Sequence, residues 1–387
     1  MKNITALFLI LISLLLFSCS SNEFPPPPEP AFPDAPQVGE VDFQQASSAP
    51  EEYQLLDIGI VAFDNQYIES DSARYGEWVF SEIRDNERHF LPYLLRNTLL
   101  ESNQWGAVRV LPLNDPSVDL TIEGTIHQSD GTRLVLEIRA SDSTGKVWLE
   151  EIYVDSSIEE DYPDSTRLRS ASQLEIDEVK EPFEDIYEQI SNDLVSLRNA
   201  MSEEELTNLR QVSNLVYAND LAPESFGHTL TTNEEGLLQV VSLPAEDDPM
   251  AQRVAEMRLR HHLFIDTVDE YYQALYDEME ASYLVWRRYS YDQIEEFDAP
   301  EQQSVDQSLF SSTNNSLTLI QRYNRYRWSK IYEQEFLELA SGFNQEIAPA
   351  ILELNRNVHG LSGTMEEQYI QWRRILRQLF TLEIGDV

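Results

Sequence analysis

Arginine and aromatic residues fall together three times in this chain: Trp286-Arg287-Arg288-Tyr289, Arg322-Tyr323-Asn324-Arg325-Tyr326-Arg327-Trp328 and Trp372-Arg373-Arg374. A guanidinium forks onto a carboxylate or phosphate, and a flat ring stacks on a sugar or on arginine itself. Converged, Arg325, Arg327, Trp328 and Arg373 would line a groove suited to a glycan strand, a lipid headgroup or an acidic peptide. Turned inward, the same arginines would neutralise carboxylates of the fold, and the sequence admits both outcomes. A second candidate is His261, a polar ring in an otherwise apolar helical seam. It reads either as a metal ligand or proton carrier paired with a carboxylate, or as a hydrogen-bonded core histidine. Its neighbour His262 points about 100° away on a helix, so the two cannot easily share one metal. The sequence contains no His-Glu-x-x-His, no Gly-x-Ser-x-Gly and no Walker loop, and carboxylates are too frequent for a pair of them to mark a site. No catalytic residue, metal ligand set or cofactor is assigned, and the chain is expected not to be an enzyme.

The one cysteine, Cys19, follows the apolar run from Ala6 to Phe17 in the context Leu16-Phe17-Ser18-Cys19. That run is too short for a spanning helix of about 20 residues and reads as an export signal over residues 1–18. The pattern resembles the bacterial lipobox, which implies cleavage before Cys19 and lipidation of its thiol. Ser20, rather than Asp, in the next position implies sorting to the outer membrane. Pro25-Pro26-Pro27-Pro28 and further prolines follow, with little apolar content, so residues 19–52 are expected to form a semi-rigid tether between membrane and folded body.

Composition bounds the partners. The chain has 387 residues, 42% of them hydrophobic, and a formal net charge of −42. Such a surface repels nucleic acid and anionic headgroups, so neither is expected as a main ligand. Lysine occurs only at Lys2, Lys146, Lys180 and Lys330, so nearly all positive charge is arginine. With Cys19 committed to lipid, no disulfide forms within the mature chain and stability must come from packing.

The elements that must position the candidates follow from periodicity. Leu55 to Phe63 predicts a strand buried on both sides, His89 to Ser102 a helix, and Val108 to Leu111 a short strand. Three alternating runs at 120–126, 134–140 and 147–149, separated by Ser129-Asp130-Gly131 and Ser143-Thr144-Gly145, predict an antiparallel meander. Phe183, Ile186, Tyr187, Ile190 and Leu194 form one helical stripe, and Ser202-Glu203-Glu204-Glu205 has the form of a capping box for a helix reaching about Ala218. Residues 220–248 read as an irregular ordered loop. Asp248-Pro249 then opens a long helix whose Met250, Val254, Met257, His261, Phe264, Val268, Tyr271 and Leu275 alternate in steps of four and three, a coiled-coil-like seam. Further helices are predicted at 317–343 and 364–381, joined by a tight connection over 355–364, and the three long helices suggest an antiparallel bundle.

Asp57-Ile58-Gly59-Ile60-Val61-Ala62-Phe63, Leu94 to Pro112, Val118 to Ile126 and Asp142 to Trp148, in this order of strand, helix, strand and hairpins, resemble a shared N-terminal domain. It is found in outline in the curli-secretion lipoprotein, in lipoprotein activators of penicillin-binding proteins and in the Tol translocation protein. The resemblance covers about a quarter of the chain and implies a non-enzymatic envelope role in assembly or regulation. The expected organisation is α+β: an α/β sandwich domain with an antiparallel meander at 53–157, then a mainly helical bundle domain at 182–387 with long helices near 249–290, 317–343 and 364–381. The expected function is that of an outer-membrane-anchored, periplasm-facing lipoprotein that scaffolds or regulates an envelope machine for peptidoglycan synthesis, secretion or lipid transport. Its expected partners are the membrane, through the lipid, and an envelope protein. The alternative is a glycan- or lipid-binding module using the arginine and aromatic groove.

Overall fold

The computed structural model describes residues 30–65, 81–162, 181–245, 247–298, most of 327–341, 351–354 and 357–385. Cys19, Arg325 and Trp328 lie outside the described residues. A mixed sheet comes first: β1 (Ile58–Val61), β2 (Asp64–Asn65), β3 (Val108–Leu111), β4 (Leu120–Ser129), β5 (Arg133–Asp142) and β6 (Val147–Ser156). The order β3-β1-β4-β5-β6 sets β1 parallel to both neighbours, while β4, β5 and β6 form the expected antiparallel meander. Helix α1 (Ser81–Glu101) joins β2 to β3, and α2 (Glu184–Asn199) follows β6. Both helices pack with one another and against the sheet. The alternation on β5 gives the reason: Leu134, Leu136, Ile138 and Ala140 are fully buried, while Arg133, Glu137 and Arg139 are only half-buried. The opposite face carries cross-strand pairs, Glu123 with Arg139 at 3.1 Å and His127 with Glu137 at 2.8 Å.

Helix α1 begins eight residues before the expected start and runs through Pro92. Proline has no N–H, so the carbonyl four residues back loses its helical donor. That carbonyl, on Arg88, accepts the N–H of Phe63 at 2.9 Å, and the Arg88 Nε donates to the Phe63 carbonyl at 3.0 Å. An interior proline is thereby turned into a lacing point between α1 and the segment after β1.

The helical part follows the sheet, as expected of an α+β chain. Helix α3 (Glu203–Leu221) is capped by Ser202 and Glu205 in a reciprocal box. Residues 220–248 are more regular than the sequence suggests, with a short helix α4 (Pro223–Phe226) and a hairpin of β7 (Leu230–Thr232) and β8 (Leu238–Val240). The Asp248 side chain caps the 50-residue helix α5 (Pro249–Asp298) through the Met250 N–H at 2.8 Å. The stretch expected as a tight interhelix connection, 355–364, holds the second strand of a hairpin, β10 (Asn357–Gly360), paired with β9 (Ile351–Leu354) just before it, and leads into α6 (Met365–Gly385). Of the helix expected at 317–343, the described residues fall within 327–341 and include the fully buried Phe336.

Two corrections concern packing. The seam of α5 does not keep a period of 3.5: Val254, Met257, His261 and Phe264 are buried, but the stripe then drifts through Ile265, Tyr272, Tyr276, Met279 and Tyr283, while Val268 and Leu275 are half-buried. A straight helix turns every 3.6 residues, so a stripe facing one fixed surface must drift in this way. Moreover, the helices do not bury their apolar faces only on each other. One core joins the sheet, α1 and α2 to the C-terminal half of α5 and to Phe336; another joins Leu111 and Val118 of the sheet region to α3, α4, the N-terminal half of α5 and α6. Helices α3, α5 and α6 pack mutually, and Phe336, from the described part of the segment expected as the 317–343 helix, packs on Tyr283 of α5 with centroids 5.3 Å apart.

The third correction concerns the tether. Residues 30–50, expected within a solvated stalk, lie as a strap across the sheet and α2. The Val38 N–H donates to the Val154 carbonyl at 2.8 Å, Val41 to Asp185 Oδ1 at 2.8 Å and Gln44 to Asn192 Oδ1 at 2.9 Å. The Asn192 amide returns a bond to the Asp42 carbonyl at 3.0 Å, and the Ala46 N–H donates to the Ser102 carbonyl at 2.8 Å. A chain poor in apolar residues is held here by its main chain, which composition does not reveal.

Asp155, at the strap, accepts main-chain bonds from Ser156 and Gly39, yet burial, with Asp185 and Asp161 nearby, pushes its carboxyl up to about 6. A folded value above the ordinary one of about 3.9 means that the folded state holds this proton more tightly, so stability from this group rises as pH falls from about 7 toward 4. Asp155→Asn is therefore expected to be more stable than wild type at pH 7.5 and equal to it near pH 4, as measured by urea unfolding. A difference independent of pH would contradict this assignment.

Candidate functional site

His261 stands on α5 with no exposed surface, and its Nε2 lies 3.0 Å from Asp115 Oδ2. Asp115 comes from the loop between β3 and β4, where Pro116 follows it and the Ser117 N–H donates to its Oδ1 at 2.7 Å. The Tyr369 hydroxyl of α6 donates to the same carboxylate, and the Arg373 Nε stands 3.8 Å away. Arg373 continues to Asp220 of α3 at 2.7 Å, which also accepts from Arg377 at 2.7 Å. Tyr217 stacks on the His261 ring, with centroids 6.0 Å apart and planes 18° from parallel. One carboxylate therefore ties the β3–β4 loop to α5 and α6, and through Arg373 to α3. Burial by itself would raise the Asp115 carboxyl, but hydrogen bonds from His261, Ser117 and Tyr369 outweigh it and hold the group well below the usual carboxylate range.

His261 and His262 have ring centroids 6.3 Å apart and take separate partners. His262 Nε2 lies 3.3 Å from the Ser117 carbonyl, and burial, with Arg109 and Arg258 close by, lowers its pKa to about 4. Nδ1 of His261 has no hydrogen-bond partner among the described residues. Among the described residues, no group of three or more His, Cys, Asp or Glu side chains is placed to hold a metal ion.

Arg287 and Arg288 also face inward, whereas Arg327 and Arg374 are exposed. Arg287, fully buried, donates to the Tyr283 hydroxyl at 2.7 Å, to Ser129 Oγ at 2.9 Å and to the Asp130 carbonyl at 3.1 Å, with Glu87 at 3.5 Å. The turn before β5 lies so close to α5 that a Cβ on Gly131 would stand 2.0 Å from the Tyr291 nitrogen, which is why glycine occupies that place. Glu181 shares this region, and burial, with Glu280, Glu87 and Glu184 adding and Arg287 opposing, pushes its carboxyl up to about 7. Arg288 pairs with Glu159 at 2.9 Å and Asp292 at 3.2 Å. Trp372 is buried and packs on Phe264 with centroids 5.0 Å apart. Midway along α5, Asp266 pairs with Arg109 at 2.6 Å, and Asp269 takes Arg96 together with the Val110 N–H at 3.4 Å, covering the outer edge of β3.

Of the groove expected from sequence, Arg373 is thus engaged by Asp115 and Asp220, and Arg327 is exposed on its helix. Concave regions open to solvent occur among the described residues. One, of about 460 Å³, lies between strap residues 46–50 and Leu55, Leu99 and Trp105; a shallow one of about 790 Å³ is lined by Ser362, Thr364, Glu367 and Arg374. Sequence reading found His261 and Tyr369 as members of helical stripes but missed Asp115, Asp220, Glu87 and Asp269. Asp115-Pro116-Ser117 carries a turn signal, but nothing local to it announces burial.

No family model matches this chain, and no curated protein matches it. Among solved structures, a PelC dodecamer from Paraburkholderia phytofirmans is similar over 28% of this chain and 78% of that one, at 15% identity and a TM-score of 0.18, too slight a likeness to bear on fold or function.

Removing one partner of a buried charge pair costs about 3–5 kcal/mol. Asp115→Ala is expected to lose stability on that order in denaturant unfolding. Because the folded Asp115 pKa is depressed, its contribution is present above the unfolded value of about 3.9 and lost as pH falls below it, so the variant should show a flatter acid limb than wild type. Equal acid limbs would show that the carboxylate is not held as described.

Proposed function

We propose that this chain is a non-enzymatic, outer-membrane-anchored lipoprotein facing the periplasm, lipidated at Cys19, which scaffolds or regulates an envelope machine. The observation that supports this reading over a glycan- or lipid-binding module is the direction of three of the five described cluster arginines, Arg327 and Arg374 being exposed. Arg287, Arg288 and Arg373 are turned onto Glu87, Glu159, Asp292, Asp115 and Asp220, so their charge is neutralised internally instead of being offered to a phosphate or a sugar acid. His261, the other candidate for chemistry, is closed off from solvent and serves as a partner of Asp115. The apolar run before Cys19 supports the anchor, and no described helix is long and apolar enough to cross a membrane. The docked strap also supports a short working distance: with residues 30–50 held on the body, ten residues separate Cys19 from Pro30, a reach of at most about 40 Å.

Two measurements test this. Cys19→Ala is expected to leave the membrane fraction in a high-salt wash, and a variant that stays bound would contradict lipidation. In-cell crosslinking of wild type should yield a stoichiometric envelope protein, while purified protein should neither turn over nor retain sacculi. Binding of sacculi or lipid by the purified protein would favour the binding-module reading, and turnover would make it a hydrolase.

A further inference from the structure

Strand β6 is the outer strand of the sheet, and its outer side is used at one place only among the described residues, where Gln37 bridges Val154 in parallel. Because Val154 turns its carbonyl outward to Val38, the alternation of an antiparallel strand points the main-chain groups of Ile152 and Glu150 to the same outer side. In this parallel bridge the strap residues on the Ile152 side are those before Gln37, and they do not follow β6: Pro36 has no N–H and the Ala35 N–H bonds back to the Phe32 carbonyl at 3.1 Å, while after Val38 the strap leaves for Asp185 and Asn192 of α2. The other edge of the sheet is treated differently: at β3, Asp269 of α5 takes the outward N–H of Val110. An open edge is a template for another extended chain.

The side chains beside that edge select what can add. Glu150 and Glu151 are exposed and have no ion-pair partner among the described residues. Arg139, which lies opposite Glu150 in the register, is committed to Glu123 at 3.1 Å. Two copies of this edge would bring like charges together, so self-pairing is disfavoured, whereas a segment with lysine or arginine on one side gains both main-chain bonds and opposite charge. Val147 is exposed and Ile152 half-buried, which offers apolar contact to alternate residues of the added strand. We propose that the β6 edge from Glu150 to Ile152 is a strand-addition site for an extended, basic protein segment, in line with the place where the chain's own strap already adds. This goes beyond the proposed function and does not depend on the lipid anchor.

The test uses the full chain in detergent micelles with two probes, an alternating lysine–valine octapeptide and its glutamate–valine counterpart, with amide exchange as the structural readout. The lysine–valine peptide is expected to bind and to slow exchange at the Glu150 and Ile152 amides, while the glutamate–valine peptide does not bind. Ile152→Pro removes an outward donor at a position where an edge strand tolerates proline and should weaken binding about tenfold. Glu150→Lys/Glu151→Lys keeps the main chain intact and should reverse the preference between the peptides, so the outcome does not rest on a variant that might misfold. Failure of the lysine–valine peptide to bind, equal binding of both peptides, or an unchanged preference in the lysine variant would overturn the proposal and leave the glutamates as guards of a closed edge.

Discussion

An ionised carboxylate taken out of water must be met by donors on every side that water has left, and Asp115 imposes that demand at the meeting point of the β3–β4 loop, α5 and α6. It is met from three parts of the chain far apart in sequence: Ser117 beside it, His261 of α5 and Tyr369 of α6, with Arg373 behind them. None of these groups can retreat without leaving a buried charge short of partners. The helices are therefore held to the sheet region by a polar constraint that fixes their placement, while the apolar cores around it supply most of the burial.

The same logic repeats along α5, which at 50 residues spans about 75 Å. Its carboxylates meet Arg109 and Arg96 at the middle, and its Arg287 and Arg288 meet Glu87 and Glu159 toward the end. An arginine can serve several acceptors in a plane and keeps its charge when buried, which a lysine does less well. The near absence of lysine in so acidic a chain fits this use. Positive charge is concentrated where it joins elements, and the surface is left strongly negative, a condition that favours cationic partners and discourages self-association.

Local signals were legible where one element determines its own form. The meander at β4–β6, the capping box at Ser202, the cap at Asp248 and the stripe of α2 follow from periodicity and turn chemistry, and the structure has them at those residues. Non-local features were not. The strap at 30–50 reads as solvated chain because its bonds are main-chain donors taken by Asp185, Asn192 and Val154, residues more than a hundred positions away. The seam of α5 reads as a coiled coil over a short window, and its drift becomes apparent only against the fixed surface it crosses. His261 could be singled out as a polar ring in an apolar stripe, yet its partner lies 146 residues earlier in a loop with no mark of burial. The arginine clusters showed where the charges are in the chain but not which carboxylates they would meet.

Sheet and helices pinned at Asp115 should behave as one cooperative unit. Native-state hydrogen exchange across a denaturant series tests it most directly, by comparing amides of β5 with those in the N-terminal half of α5, from Val254 to Phe264. Both are expected to exchange through the same global unfolding, with equal free energies and equal dependence on denaturant. Exchange of α5 through a smaller opening at markedly lower free energy, with β5 still protected, would contradict it.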